Sequence, residues 1–278
     1  MARIFLRVML GLAVLAGSQG FPASAFASAS ASPSTDAAGQ STVTVRSTRD
    51  PVDKSYRKMI RGMERFERER ALAPQASLRF QLLPRSRTVD MHGITLRIAG
   101  DSVNVPVTVD GNNTFVLPRV DQALREDAAV LANRRTTSMT WRALIQSPGV
   151  PPGMRRLGDL RLECLVGKEA GLVSNRSLFG WISDVIDTPE GVCNSPDGNY
   201  LFFAERPLFA VTLRAGDRVE TLPFGMLYAG GEQTRADLEY CDCQVLLDRT
   251  YYVPIWDRSW PDDTLVEFEY MTDPGAAP

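Results

Sequence analysis

Histidine is almost missing from this chain: among 278 residues the one imidazole is His92. Any Ser-His or Cys-His nucleophile would depend on it. It sits in Asp90-Met91-His92-Gly93, a turn pattern ahead of a strand, with no Gly-x-Ser-x-Gly around it, and reads as an exposed turn residue. The zinc-protease His-Glu-x-x-His, the phosphate-binding Gly-x-x-x-x-Gly-Lys and the dinucleotide Gly-x-Gly-x-x-Gly are also lacking. Zinc proteolysis, nucleotide hydrolysis and hydride transfer therefore lose their usual signatures, and no cofactor or metal is expected. Lysine is scarce too, at Lys54, Lys58 and Lys168 only; the basic side chains are otherwise arginine, which fits codon bias.

Long apolar runs are lacking as well. The stretch Val8–Ala16 follows Arg3 and Arg7 and is about half of the ~20 residues that cross a bilayer as a helix. Small residues come next, with Ala-x-Ala at Ala23–Ala25, Ala27–Ala29 and Ala29–Ala31. A cationic start, a short greasy stretch and small-residue sites together read as a cleavable secretory signal over residues 1–31. No cysteine follows to take a lipid, so a soluble exported protein with no remaining transmembrane segment is expected, periplasmic or secreted. The Asn112 and Asn175 glycosylation patterns would matter only in a eukaryote. Cleavage removes two arginines and no acid, lowering the formal charge further below −2. A nucleic-acid partner is not indicated.

Four cysteines are present, Cys164, Cys193, Cys241 and Cys243. An even number in an exported chain reads as two disulfides. Neighbours such as Cys241 and Cys243 would strain the backbone if bridged directly, so each is expected to join Cys164 or Cys193. A thiolate metal site lacks the paired Cys-x-x-Cys spacing and nearby histidines, and the same absence argues against a redox-active pair.

Residues 32–49 are rich in Ser, Thr, Ala and Gly with no apolar period and read as a flexible linker. A helix is expected from Pro51 to about Leu72, capped by Asp50, with Val52, Tyr56, Met59, Ile60, Met63 and Phe66 on one face and arginines and glutamates on the other. Period-two runs follow: Leu78–Leu82, Ile94–Ile98, Val103–Val109 and Thr114–Leu117, separated by Gly/Asp/Asn turns. They predict a β-meander. This run, with its Asp110-Gly111 turn and Phe115-Val116-Leu117-Pro118 strand, resembles the middle of transthyretin-like or carboxypeptidase-regulatory sandwich modules. The resemblance implies a small sandwich and carries over no site residue.

Further on, residues 121–133 read as a helix capped by Asp121, and Thr136–Gln146 as extended. Ser147–Gly153, rich in Pro and Gly, marks a boundary between a helix-plus-meander domain (50–147) and a disulfide-containing β-rich domain (148–272), with a frayed tail at 273–278. In the second half, alternation at Leu160, Leu162, Cys164 and Val166 predicts a strand and Leu178–Ile186 a short helix. Strands are expected at Tyr200–Ala204, Leu208–Leu213, Arg218–Leu222, Met226–Ala229, Cys243–Leu247, Tyr251–Ile255 and Thr264–Tyr270. The fold class expected is mainly β with a few helices, α+β, with antiparallel, sandwich-like sheets behind an N-terminal amphipathic helix.

The best candidate ligand surface is Trp256-Asp257-Arg258-Ser259-Trp260-Pro261-Asp262-Asp263, where acids stand beside aromatics. Trp256 and Trp260 could form a sugar platform, and Asp257, Asp262 and Asp263 supply the carboxylates that glycoside hydrolysis needs in pairs. The structural alternative is that the tryptophans pack and the acids cap a turn. Asp197-Gly198-Asn199 lacks the spaced oxygen ligands of a calcium loop and reads as a hairpin turn. The function expected is non-enzymatic binding of an envelope protein or glycan. A carboxylate-dependent hydrolase of envelope polysaccharide and a small-molecule or lipid carrier are the alternatives.

Overall fold

The amphipathic stripe that begins at Val52 becomes helical only at Tyr56, where the apolar spacing first meets a core. In the computed structural model, residues 51–135, 138–172, 188–196, 200–230 and 246–271 are described, all within a compact unit spanning Arg46–Pro278. Strand β1 (Pro51–Ser55) comes first, then helix α1 (Tyr56–Arg68). The expected helix from Pro51 is corrected on this point. Residues 51–55 instead pair antiparallel with β6 (Ala129–Arg135), and backbone pairing with a neighbouring strand outweighs the Asp50-Pro51 start signal. The cap is Ser55, whose hydroxyl accepts from the Lys58 N–H. The helix ends at Arg68, and a 3-10 turn covers Arg70–Leu72 ahead of Pro74. Tyr56, Met59, Ile60 and Phe66 are buried from its apolar face, each contributing about 1.5–3 kcal/mol by area removed from water. The Tyr56 hydroxyl also donates to the Pro118 carbonyl at 2.9 Å and accepts from the Val120 N–H at 2.6 Å.

The chain is mixed α+β, with antiparallel sheets and few helices. The runs expected as one meander divide between two sheets. In one, the order is β1, β6, β3 (Leu96–Ala99), β4 (Asn104–Val107); in the other it is β5 (Thr114–Phe115), β2 (Ser77–Pro84), β7 (Met139–Gln146). Only β3 and β4 pair as sequence neighbours there. Period two reports which face is buried and is blind to which strand lies alongside. The expected helix over 121–133 is also corrected: α2 spans Asp121–Arg125, and Asp127, in the left-handed region at φ 53°, turns the chain into β6. Leu131, within the span expected to be helical, instead pairs with Asp53 of β1 and Arg97 of β3.

Just after α2, the Glu126 carboxylate ties the β3–β4 turn. It accepts from the N–H groups of Ser102 and Val103 at 2.9 and 3.2 Å, and from the Ser102 hydroxyl and the Gln122 amide. These bonds, the Ser102 hydroxyl first, pull its pKa down to about 2. A depressed acid stabilises the fold above its unfolded pKa and loses that contribution as pH falls through the folded value. The expected outcome is that carboxyl-carbon NMR places Glu126 near pH 2, and that Ser102 and Val103 amide signals shift with it while the Val219 amide, on the exposed strand β11 (Arg218–Thr221), does not.

A third sheet runs β11, β10 (Leu208–Ala215), β13 (Leu265–Tyr270), β8 (Met154–Arg156), and β12 (Thr250–Tyr251) pairs with β9 (Phe202–Phe203). The β10–β11 hairpin turns at Gly216, where φ is +56°, as the Gly-Asp pair predicts. The strand expected over Met226–Ala229 is two 3-10 turns, Phe224–Met226 and Tyr228–Gly230, with Leu227 bridging to Tyr251. Tyr228 and Ala229 both take positive φ there, which breaks any extended run.

The largest correction is helix α3 (Leu157–Glu169), where alternation predicted a strand. Every residue from Leu157 to Gly167 is buried. A helix enclosed on all sides has no polar face, so no 3.6-residue stripe marks it, and chance alternation stands out instead. Leu162 and Val166 join the apolar cluster of α1, β2 and β7, whereas Leu157, Leu160, Cys164 and Leu165 join that of β10, β12 and β13. Close approach of backbones requires small residues here: a Cβ on Gly62 would meet the Ala170 methyl at 2.6 Å, and one on Gly158 the Leu72 carbonyl oxygen at 2.1 Å.

The disulfide expectation is corrected too. Cys164 of α3 bonds to Cys193, the last residue of the short helix α4 (Pro189–Cys193), with Cα atoms 5.9 Å apart. Packing of α4 on α3 brings these two cysteines together, so neither is left for Cys241 or Cys243. Those two cysteines, the expected helix over 178–186 and the turn at 197–199 lie outside the described residues. Among the described residues, no helix is long and apolar enough to cross a membrane.

Candidate functional site

Three places gather polar or exposed chemistry, and they differ in what they can offer a ligand. The first is the loop that carries the Trp256–Asp263 residues. Arg161, buried in α3, organises it: its guanidinium donates to the carbonyls of Ile255, Asp257 and Trp260 at 2.7 to 2.9 Å and to an Asp262 carboxylate oxygen at 2.5 Å. Trp260 is 1% exposed, with the Arg218 guanidinium 3.5 Å from its ring centre. Asp257 accepts from the Ser259 N–H, and its hydrogen bonds to Ser259 lower its pKa. Trp260, Asp257 and Asp262 are thus brought together around Arg161 as parts of a folded loop. Trp256 (38% exposed) and Asp263 are left at the surface. A flat sugar platform needs exposed ring faces, and Trp260 presents none.

The second place is a set of buried charges on α3. Asp159 accepts from the N–H and hydroxyl of Ser147 at 2.8 and 2.6 Å; burial pushes its pKa up against those bonds. Glu163 pairs with Arg155 at 2.7 Å, both side chains under a tenth exposed, and Arg155 also donates to the Ile145 carbonyl. Tyr200 and Tyr251 lie close by, and burial drives both phenols well above their ordinary pKa. Arg142 donates to Gln81 and to the Phe203 carbonyl. Polar partners inside the protein meet most of these groups, the Arg155 Nε being left without one, and the arrangement ties β7, β8 and β9 to α3. Their role is architectural.

The third place is a groove of about 320 Å³ between α1, the start of β2 and the end of β5. Met63, Phe66, Leu78, Phe80 and Leu117 line it, with Val116 beside them and Glu67, Arg70 and Arg119 also on its wall. Val116 is 55% exposed, a large aliphatic side chain left in water. The Arg70 guanidinium stands 5.0 Å from the Phe66 ring centre. The groove falls at the small end of ligand sites and combines apolar lining with a few charged groups, as such sites do. A signal for it was present in the sequence: if Phe115 and Leu117 point inward, Val116 between them must point out.

His92 is exposed, with Nδ1 2.8 Å from the exposed Asp90 carboxylate. No group of three or more His, Cys, Asp or Glu side chains among the described residues is arranged to hold a metal ion. No family model matches the chain, and neither a curated protein nor a solved structure does so.

Proposed function

We propose that this chain is an exported, non-enzymatic binding protein that holds an envelope protein or glycan through the groove between α1 and β2. In this reading residues 1–31 direct export and are cleaved, and the mature chain works in the periplasm or outside the cell. The single observation that carries it is the groove itself, in which an apolar floor and the exposed Val116 lie beside two arginines. Support also comes from the acids that hydrolysis would need: Asp262 is committed to Arg161 and Asp257 to Ser259.

A photo-crosslinking residue at position 116, in the cell of origin, is expected to give a discrete adduct. The same residue at Val219, equally exposed on β11, is expected to give none. Absence of an adduct at 116, with the protein exported and folded, removes the groove from the reading.

A further inference from the structure

Among the described residues, one strand edge in the wall of the groove is left unpaired. Backbone groups of successive strand residues point to opposite sides. In β2 the Arg85 N–H, just past the strand, reaches Ser138 on the β7 side, and the Leu82 N–H reaches Asn113 on the β5 side. Even-numbered residues therefore face β5. That strand pairs with β2 only at Phe80 and Gln81, and the chain departs after Phe115. The N–H and C=O of Leu78 are thus turned toward the space that β5 has left, beside Val116 and Leu117.

Beyond Leu78 the edge closes. The Ala76 N–H is bonded to the Ala73 carbonyl at 3.1 Å, and the Ala76 carbonyl accepts from Arg70 at 3.4 Å. One residue's worth of edge suits the end of a chain better than a strand running through. Arg70 and Arg119 decide which end. Both line the groove, and their acidic neighbours are loose and exposed: Glu67 lies 3.4 Å from Arg70 and Glu64 3.8 Å from Arg119. Pairs of that kind are worth little in water and yield readily to a better-placed carboxylate.

We infer that the groove receives the carboxy-terminal end of a partner polypeptide, with an apolar last side chain and a free carboxylate. The last side chain enters between Met63, Phe66 and Leu117, the peptide backbone bonds to Leu78 as an added strand, and the carboxylate meets Arg70 and Arg119. The inference rests on reading the groove as the binding surface and names what that surface recognises.

The test uses the mature full-length chain and three fluorophore-labelled pentapeptides: one ending in leucine as the free acid, its carboxy-terminal amide, and the free acid ending in glycine. Fluorescence anisotropy is expected to show the leucine acid binding, with the amide and the glycine peptide each weaker by about 10-fold or more. Arg70→Ala with Arg119→Ala is expected to abolish the difference between acid and amide. Val116→Asp, checked by circular dichroism for an intact fold, is expected to weaken both. Equal binding of acid and amide, or no binding of any peptide while crosslinking at position 116 persists, overturns the carboxylate inference and leaves the groove reading standing. Loss of the crosslink removes both.

Discussion

Replacing Arg161 with alanine is expected to lower the free energy of unfolding by about 3–5 kcal/mol, the range seen when one partner of a buried polar network is removed. The guanidinium serves three carbonyls and a carboxylate at once. Without it the carbonyls of Ile255, Asp257 and Trp260 lose a charged donor, and any that stays buried costs about 1–3 kcal/mol. Asp262 contributes less, because its side chain is 39% exposed and water can replace the lost bond. Arg161→Lys is expected to recover only part of the loss, since an ammonium cannot present the planar fork that reaches four acceptors. Urea denaturation of the two variants beside the parent checks both statements. Equal midpoints for Arg161→Ala and the parent would mean that the Ile255–Asp262 loop holds its shape by other contacts.

The second large effect is expected from the double variant Cys164→Ser, Cys193→Ser. Its bridge closes a loop with a sequence separation of 29, for which the chain-entropy model gives about 3–4 kcal/mol. The loss should exceed that entropy only if α4 leaves α3, because α4 also places Glu190 beside Arg65 of α1. A serine change at Cys164 alone is expected to cost about as much as the double change, since either one opens the same bridge. If tryptic mapping under non-reducing conditions instead finds Cys164 joined to Cys241 or Cys243, the arrangement of α3 and α4 described above is wrong.

How far the sequence revealed this structure depends on whether a residue's partners are local. The α1 face at Tyr56, Met59, Ile60 and Phe66 was visible because 3.6-residue spacing is a property of the helix itself. So were β2, β7, β10 and β13, and the Gly216 turn. The beginning of α1 is not legible locally, because Pro51–Ser55 answers to β6, which comes nearly eighty residues later in the chain. Helix α3 escapes for a related reason: Asp159, Arg161 and Glu163 look like solvent positions in a strand, and only their partners outside the helix, Ser147, Asp262 and Arg155, explain why a helix buries them. The cysteine pairing failed likewise, since α4 brings Cys193 to Cys164 through packing that no spacing rule contains.

The site follows the same rule. Trp256-to-Asp263 drew notice because acids and aromatics stand together in sequence, yet Trp260 turned out to be buried under Arg218. The groove drew none, because its wall is assembled from α1, β2 and β5, and its most telling feature is a backbone edge that every sequence possesses equally.

Amide hydrogen exchange at Leu78 tests the central claim most directly. In the unliganded protein the Leu78 amide is predicted to exchange quickly while its strand neighbours Phe80 and Leu82 are protected, and to become protected when the partner crosslinked at position 116 is added. A Leu78 amide already as slow as Phe80 in the free protein, or one left fast with the partner bound, would contradict it.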